Sequence, residues 1–182
     1  MATHREITVG QIARIKDCRV IGIAGGPEKC HHVVADLGFH DCIDYKAGPI
    51  GPALAKAAPQ GVDIYFANVG GDILDAVLPH LNMNARVPIF GQISQYNRRE
   101  RQGLRNTGVL LDKCIKLQGF RIGSHLARCD QALDQLMEWY RAGRLKFRET
   151  VAEGLEAAPA ALINMLSGGN IGKQVVRLAA AA

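Results

Sequence analysis

Two glycine pairs stand where the backbone of this chain could approach a phosphorylated ligand closely. Gly25-Gly26 is followed by Pro27-Glu28-Lys29, and Asn68-Val69 leads into Gly70-Gly71. Glycine lets the backbone come close to a bound group, and an asparagine amide both donates and accepts hydrogen bonds. The Lys29 ammonium would add an attraction to phosphate on the order of 4 kcal/mol per unit charge, at an effective dielectric constant of about 20 and before desolvation. A turn-forming Asn-x-Gly-Gly without a ligand would look the same, so the pattern leaves both interpretations open.

The residue that ends the strand before Gly25 bears on which dinucleotide would bind. In NAD-binding proteins an acid at this position accepts a hydrogen bond from the ribose 2'-hydroxyl, and it would repel a 2'-phosphate. Here the strand ends in Ala24, and Lys29 lies one turn into the following helix. This favours NADP over NAD. The alternative is an ordinary helix start with a solvent-exposed lysine, and spacing alone does not separate the two.

A third candidate segment follows a later predicted strand and runs from Phe90 to Tyr96. Tyr96 could donate a proton or hold a ribose, because its phenol both donates and accepts hydrogen bonds. The alternative is a tyrosine that only packs or lies at the surface. Cys30-His31-His32 is a poor metal site, since neighbouring helical residues diverge by about 100 degrees. We expect an exposed histidine pair there and no metal.

These candidates need elements that bring them to one edge of a sheet. Apolar patterns predict strands over 19–24, 41–44, 62–67 and 85–90, with helices over 27–37, 50–58 and 72–81 between them. The strands begin about 22 residues apart, which leaves room for a helical crossover and hence a parallel sheet covered on both faces. The expected fold class is α/β, a Rossmann-like doubly wound parallel sheet with its ligand outside the carboxyl ends of the strands.

Beyond Gly91 the pattern loosens into a polar loop over 92–106. Further elements are predicted as a helix over 109–116, a strand over 119–123, an amphipathic helix from Asp130, an extended stretch over 145–151, a helix over 159–166 and a strand over 173–178. Met137-Trp139-Tyr140, within the amphipathic helix, is expected in the core rather than in a binding site. Residues 179–182 are a tail. The absence of internal repeats and linkers predicts a single domain over 1–182.

The composition limits the kind of protein. The chain has 182 residues, 48% hydrophobic and 21% charged, with a net charge of +5, which suits one globular domain with an ordinary core. No apolar run reaches the roughly 20 residues of a membrane helix. The basic stretch over 98–101 is interrupted by Glu100, so nucleic acid is not expected and an RNA-binding role is the weakest alternative. Five scattered cysteines without a Cys-x-x-Cys pair predict a reducing, cytoplasmic location.

The amino-terminal end departs from the expected fold. A doubly wound sheet normally binds a dinucleotide at a Gly-x-Gly-x-x-Gly turn after its first strand. Residues 1–8 contain no glycine, and the helical pattern begins at Val9. Polar residues such as His4 and Arg5 would be costly in a central strand. We therefore expect the sheet to lack its first strand and glycine-rich turn.

Five segments in order carry a family resemblance: residues 22–29, 43–46, 66–71, 91–97 and 169–173. They resemble the zinc-independent medium-chain dehydrogenase/reductases, specifically the prostaglandin reductase and alkenal double-bond reductase group. The resemblance runs from about Val9 to Leu178. It implies an NADPH-dependent reduction of the carbon–carbon double bond of an α,β-unsaturated ketone or aldehyde, a small-molecule substrate, without metal.

The same resemblance implies roles for individual residues. Lys29 would bind the 2'-phosphate, Tyr45 would lie beside the adenosine ribose, Asn68 would hold the central part of NADP, and Asn170 would close over the cofactor. Tyr96 would be catalytic, near the reacting carbonyl. The nicotinamide side would be lined by Phe90, Gly91, Gln92, Ile93, Ser94, Gln95 and Tyr96, and approached by the backbone of Phe120, Arg121 and Ile122.

The resemblance also implies parts beyond this cofactor domain. In that family a separate N-terminal catalytic domain precedes it, and we expect that domain to be absent here. Residues 145–182 would form the C-terminal return segment. A homodimer is expected through an edge strand, with Gly119–Gly123 the first candidate, and no membrane or nucleic-acid partner is expected. The alternative function is a truncated, non-catalytic module for nucleotide binding or oligomerisation.

Overall fold

The computed structural model describes residues 4–178, in which helices alternate with parallel strands. The chain divides into two compact units. Unit 1 comprises residues 1–44 and 138–182, and unit 2 comprises residues 45–137. Each unit has parallel strands of its own.

Unit 1 opens with a helix, strand, helix and strand: α1 (His4–Ile15), β1 (Ile21–Ala24), α2 (Pro27–His31) and β2 (Asp41–Asp44). β1 and β2 pair in parallel, from Ile21 opposite Asp41 to Ala24 opposite Asp44. Pro27 stands in the first turn of α2, where its missing N–H costs nothing. α2 continues directly into a π-helical turn over His32–Asp36.

The core of unit 1 fixes how these elements meet. Ile7, Val33, Leu37 and Phe39 form one buried cluster, whose apolar area favours the folded state. Gly10 of α1 lies directly against the Phe39 ring, so any side chain there would collide with the ring. The absence of a side chain thus lets α1 pack close to the chain that enters β2.

The later part of unit 1 contains a second parallel pair. β6 (Glu149–Glu153) and β7 (Lys173–Arg177) run in register and flank α7 (Ala158–Leu166). The guanidinium of Arg177 lies 2.8 Å from the Glu153 carboxylate across this pair. Since both side chains are exposed, this ion pair adds little stability.

Unit 2 holds a three-stranded parallel sheet in the order β3-β4-β5. Its elements are α3 (Ile50–Ala57), β3 (Val62–Ile64), α4 (Gly71–Val77), β4 (Leu81–Ile89), α5 (Gly108–Asp112) and β5 (Lys116–Gly119), and α6 (Cys129–Arg141) begins in unit 2 and ends in unit 1. Its fully buried side chains are apolar: Leu74, Val77, Leu78, Leu81 and Val87. Leu74, Val77, Leu78 and Leu81 follow helical spacing, while Leu81, Ala85 and Val87 alternate along β4.

The parallel pairing that the strand spacing predicts is confirmed. The strand predicted over 119–123 is wrong in position, because its partner β4 ends at Ile89, opposite Gly119. Pairing therefore stops at Gly119, and residues Ile122–Arg128 form 3₁₀ turns with a kink at His125.

Other local expectations also fail. The first helix begins at His4 rather than at Val9. Met137 and Tyr140, expected in the core, are 45% and 52% exposed. His32, expected at the surface beside His31, is buried, and its Nδ1 lies 2.6 Å from the Asp36 carboxylate. The π-helical turn places these two residues in contact.

The predicted tail over 179–182 lies outside the described residues, as do the first three residues of the glycine-free segment 1–8. Among residues 4–178, no strand precedes β1. Within the same range, no helix combines the length and apolar character needed to cross a membrane.

Candidate functional site

Unit 2 carries an open cleft at the carboxyl ends of β4 and β5, where parallel sheets of this class bind ligands. The two strands end side by side, with Ile89 opposite Gly119. The cleft has a volume of about 450 Å³ and is lined by Ile89, Phe90, Gly91, Gln92, Tyr96, Gly119, Phe120, Arg121 and Ser124. The sequence predicts all of these as site residues except Ile89, Gly119 and Ser124.

A row of aromatic rings runs along this end of the sheet. Ring centroids lie 5.7 Å apart for Phe66 and Phe90, 5.8 Å apart for Phe90 and Phe120, and 4.9 Å apart for Phe120 and His125. These separations fall in the favourable range for aromatic pairs. Phe90 and Phe120, the two members of this row that line the cleft, give it an apolar wall.

Asn68 and Gly91 meet behind the cleft. Asn68 is 5% exposed, and a Cβ placed on Gly91 would lie 2.5 Å from its Oδ1 and 3.1 Å from its carbonyl oxygen. The backbone N–H groups of Phe90 and Gly91 both donate to the Ala67 carbonyl, at 2.8 and 3.3 Å. The first residues after β4 are thereby fixed against Ala67, which follows β3, and a side chain at position 91 would crowd Asn68.

The segment after Gly91 is held by side chains from within unit 2. The Ser94 hydroxyl donates to the Val69 carbonyl at 2.7 Å. Gln95 is buried; its Nε2 donates to Ser94 Oγ at 3.2 Å, and its Oε1 accepts from the Gln102 N–H at 2.9 Å. Ser94 and Gln95, which the resemblance places along the cofactor, position the loop, and neither they nor Ile93 line the cleft.

Tyr96 is exposed and lies at the mouth of the cleft. Its hydroxyl oxygen accepts a hydrogen bond from the Gln92 N–H at 3.4 Å. Because the oxygen is the acceptor, the phenolic proton is the group that Tyr96 can offer to a ligand. Phe120 and Arg121 also line the cleft, whereas Ile122 does not.

A charged contact that the sequence reasoning missed fixes the end of the 92–106 loop. Asp75 of α4 accepts from the Arg105 N–H at 2.7 Å, from Arg105 Nε at 2.9 Å and from the Asn106 N–H at 3.0 Å. Burial alone would raise the pKa of Asp75, but the Asn106 and Arg105 hydrogen bonds outweigh it and hold that pKa below its usual value. Nothing in the local sequence around Asp75 indicates that its carboxylate binds residues 105 and 106.

Unit 1 carries the residues predicted for the 2'-phosphate. Lys29 is buried, and its ammonium donates to the Gly168 carbonyl at 2.6 Å. The alternative of a solvent-exposed lysine is therefore wrong. Asp44 was not predicted as a site residue: its carboxylate accepts from the Gly26 N–H at 2.8 Å and holds the glycine turn at the end of β1.

The remaining predicted residues are placed as follows. Asn170, in unit 1, donates from Nδ2 to the Gly172 carbonyl at 2.9 Å. Tyr45 is half-buried in unit 2. Among residues 4–178, no three His, Cys, Asp or Glu side chains converge to form a metal site.

The sequence is similar to those of several known proteins. Residues 7–140 match the family described as zinc-binding dehydrogenase. The chain is 45% identical over 179 residues to the NADPH-dependent curcumin reductase of Escherichia coli (strain K12). The matched region covers 94% of this chain and 52% of that protein. It is 40% identical over 169 residues to the NADP(+)-dependent 2-alkenal reductase of Nicotiana tabacum, covering 92% and 49%. The chain thus spans about half the length of the curated relatives it matches.

A solved structure agrees with these sequence relatives. CurA from Vibrio vulnificus in complex with NADPH superposes with a TM-score of 0.90 at 44% identity, covering 96% of this chain and 54% of that chain. The expected α/β, Rossmann-like fold class and the resemblance to the enone reductase group are both confirmed.

Proposed function

This chain belongs to the zinc-binding dehydrogenase family, and from that membership we propose that it carries the NADPH-binding part of an enzyme that reduces carbon–carbon double bonds of α,β-unsaturated ketones or aldehydes. The observation that carries the proposal is the cleft beside β4 and β5 in a chain that shares 44% identity with an NADPH-bound relative. The family's description implies zinc, but the described residues offer no zinc site. The resemblance to the zinc-independent group implies a reaction without metal.

The geometry of the cleft fits a nicotinamide dinucleotide. Gly91 lines the cleft and has no side chain, so a ligand could approach its backbone. Phe90 and Phe120 in the lining of the cleft offer aromatic surface to a planar ring. Phe90, Gly91, Gln92 and Tyr96 would hold the nicotinamide end, with Asn68 behind them.

The other end of the dinucleotide is assigned from the family resemblance. Lys29 of unit 1 is proposed to bind the 2'-phosphate, and Asn170 of the same unit is proposed to contact the cofactor. Tyr45 of unit 2 is proposed to lie beside the adenosine ribose. The buried position of Lys29 supports the first of these roles, because a buried ammonium is a strong partner for an anion.

The chemistry divides between the cofactor and Tyr96. When bound, NADPH would supply a hydride for the β-carbon of the substrate, and a proton from water would then complete the reduction at the α-carbon. The Tyr96 oxygen accepts a hydrogen bond from the Gln92 N–H, and the phenol offers its own proton toward the substrate carbonyl oxygen. That hydrogen bond would stabilise the negative charge that develops on this oxygen.

We propose that the activity is of the 15-oxoprostaglandin 13-reductase or 2-alkenal reductase type. We also propose that residues 1–182 form a single NADP-binding domain, of which residues 145–182 are the C-terminal return segment. Five cysteines without disulfide partners support the cytoplasmic localisation that we propose with it.

Binding and turnover test the proposal separately. Calorimetric titration of the 182-residue chain with NADPH is expected to give a dissociation constant in the micromolar range, and a loss of absorbance at the NADPH band is expected on adding 2-hexenal or a 15-ketoprostaglandin. Binding without turnover of either substrate would support the alternative, a non-catalytic nucleotide-binding module. No binding of NADPH would refute both.

We also propose a homodimer through the edge strand β5. In the order β3-β4-β5 this strand has a neighbour on one side only among the described pairings, and Phe120 and Ile122 just after it are exposed. An unpaired strand edge next to apolar side chains favours association. Light scattering is expected to give twice the chain mass of 19.7 kDa; a monomer at all concentrations would contradict the dimer.

A further inference from the structure

Lys29 and Gly168 are 139 positions apart in the chain and make a direct contact. The Lys29 ammonium donates to the Gly168 carbonyl at 2.6 Å, and the lysine is 8% exposed. A buried lysine normally needs a partner for its charge, and a backbone carbonyl helps to supply one here. The position of the ammonium therefore depends on the geometry of the loop that presents this carbonyl.

That loop, residues 167–170, is held to the end of α7 by backbone hydrogen bonds. Three backbone N–H groups donate to backbone carbonyls of α7: Ser167 to Ile163 at 2.9 Å, Gly168 to Met165 at 3.0 Å and Gly169 to Asn164 at 2.8 Å. Gly168 has a φ of +76°, a left-handed conformation that favours glycine. At Gly169 a Cβ would overlap the exposed Asn164 amide, so either that amide or the loop would have to move. The conformation of these two consecutive glycines thus places the Gly168 carbonyl next to Lys29 of α2.

We propose that the 167–170 loop sets the preference for NADPH over NADH by positioning the Lys29 ammonium for the 2'-phosphate. Gly168 acts as the positioning group and Lys29 as the phosphate-contacting group. The inference rests on the proposed function, because it assumes that unit 1 binds the phosphate end of a nicotinamide dinucleotide.

The physical reason is preorganisation of a flexible side chain. An ammonium has three N–H donors, and its bond to the Gly168 carbonyl uses one of them to fix the group in place. A lysine stem has many rotamers, and ordering it only when ligand binds would weaken the complex. NADH lacks the 2'-phosphate, so its affinity should not depend on where the ammonium lies. The loop therefore controls selectivity rather than dinucleotide binding in general.

The test measures the dissociation constants of NADPH and NADH for the full chain by calorimetry. Lys29→Met is expected to raise the NADPH constant about a hundredfold and to leave the NADH constant within about twofold. Gly169→Ala, which pushes the loop away from Asn164, is expected to raise the NADPH constant about tenfold with the same unchanged NADH constant. Adding Asn164→Ala to Gly169→Ala makes room for the new methyl group, and should restore most of the NADPH affinity.

Two further variants serve as a control and as a replacement for Gly169→Ala. Gly108→Ala adds a methyl group where no atom lies within 4 Å, and is expected to change neither constant. If Gly169→Ala does not fold, Gly168→Ala replaces it, because alanine at a φ of +76° strains the backbone of the same loop. It should raise the NADPH constant selectively, as Gly169→Ala would.

The outcomes separate the two levels of the proposal. A parallel loss of NADPH and NADH affinity in Gly169→Ala would mean that the loop has a general structural role, and would overturn the inference while leaving the proposed function intact. If the unaltered chain binds neither nucleotide, the proposed function fails and the inference fails with it. A selective, rescuable loss of NADPH affinity supports the inference.

Discussion

Arg105 and Asp75 make a two-point contact in which the backbone N–H and the Nε of one residue donate to the two carboxylate oxygens of the other, at 2.7 and 2.9 Å. Asp75 is buried in α4, whereas the Arg105 side chain is largely exposed. The contact therefore fastens the far end of the 92–106 loop to a rigid helix. Tyr96 and Gln92, which line the cleft, belong to the same loop.

Replacing Asp75 with asparagine should destabilise the protein. The amide in Asp75→Asn lacks the negative charge and has one acceptor oxygen instead of two, so the Arg105 Nε–H would lose its acceptor and the remaining hydrogen bonds would lose their ionic character. We expect the free energy of unfolding, measured by urea titration, to fall by about 2 kcal/mol. Asp72→Asn is the matched control: Asp72 accepts from the same guanidinium but is exposed, so its loss should be clearly smaller. Equal losses would show that burial does not distinguish the two acids.

Asp75 should also make the stability depend on pH in the acid range. Its pKa in the folded protein lies below the ordinary 3.8. Its stabilising contribution is therefore complete above the unfolded-state pKa and is lost as the pH falls below 3.8 through the folded-state value.

The pH effect can be isolated by comparing thermal midpoints of the unaltered chain and Asp75→Asn. Asp36, through its hydrogen bond with His32, and Asp72, through its hydrogen bonds with Gln102 and Arg105, also have lowered pKa values, so both proteins should lose stability in acid. The difference between them should shrink from about pH 6 toward about pH 3. A difference that stays constant with pH would rule out the ionised Asp75 as its cause.

Gly172→Ala should be far more damaging than the matched substitution Gly143→Ala in the same unit. Gly172 has a φ of +73°, and a Cβ there would overlap the carbonyl group of Arg148 in the chain just before β6. Gly143→Ala shares the positive φ, +68°, but its Cβ meets nothing within 4 Å. We expect Gly143→Ala to lower the unfolding free energy by about 1 kcal/mol, and Gly172→Ala to cost several times as much. Similar thermal midpoints for the two variants would contradict the overlap.

Cys42 should be the slowest of the five cysteines to react. Burial raises the pKa of both Cys30 and Cys42, and the hydrogen bond with Cys30 raises that of Cys42 further. Since the thiolate is the reactive form, little of it is present at neutral pH. Timed iodoacetamide labelling at about pH 8, read by peptide mass spectrometry, should modify the exposed Cys18 and Cys114 first. Labelling of Cys42 at the rate of Cys114 would disprove this protection.

Gly91→Ala should weaken NADPH binding without unfolding the chain. The new methyl group would lie 2.5 Å from Asn68 Oδ1, so either Asn68 or the backbone at the cleft must shift. We expect the NADPH dissociation constant to rise at least tenfold, by calorimetry, about 1.4 kcal/mol. Gly103→Ala, whose methyl group would meet nothing within 4 Å, should bind as the unaltered chain does. Unchanged affinity in Gly91→Ala would place the cofactor elsewhere.

Most strands and helices were predictable because their signals are local. The β-branched strand over 19–24 and the helix that starts at Pro27 carry their own apolar spacing, and both formed within two residues of the predicted start. Boundaries set by a partner were not predictable: β5 ends at Gly119 because β4 ends at Ile89. Ser94 and Gln95 likewise carry no local sign that they hold a loop instead of lining a cleft.

The sequence by itself determined that glycines, Asn68, Phe90 and Tyr96 follow parallel strands, since that order is a property of the chain. Only the tertiary structure decided which distant groups complete the site. Asp44 holds Gly26, Asp75 holds Arg105, and Gly168 holds Lys29, across separations of 18, 30 and 139 residues. Such pairs leave no periodic trace in sequence, because each depends on a single donor and acceptor brought together by the packing of the elements between them.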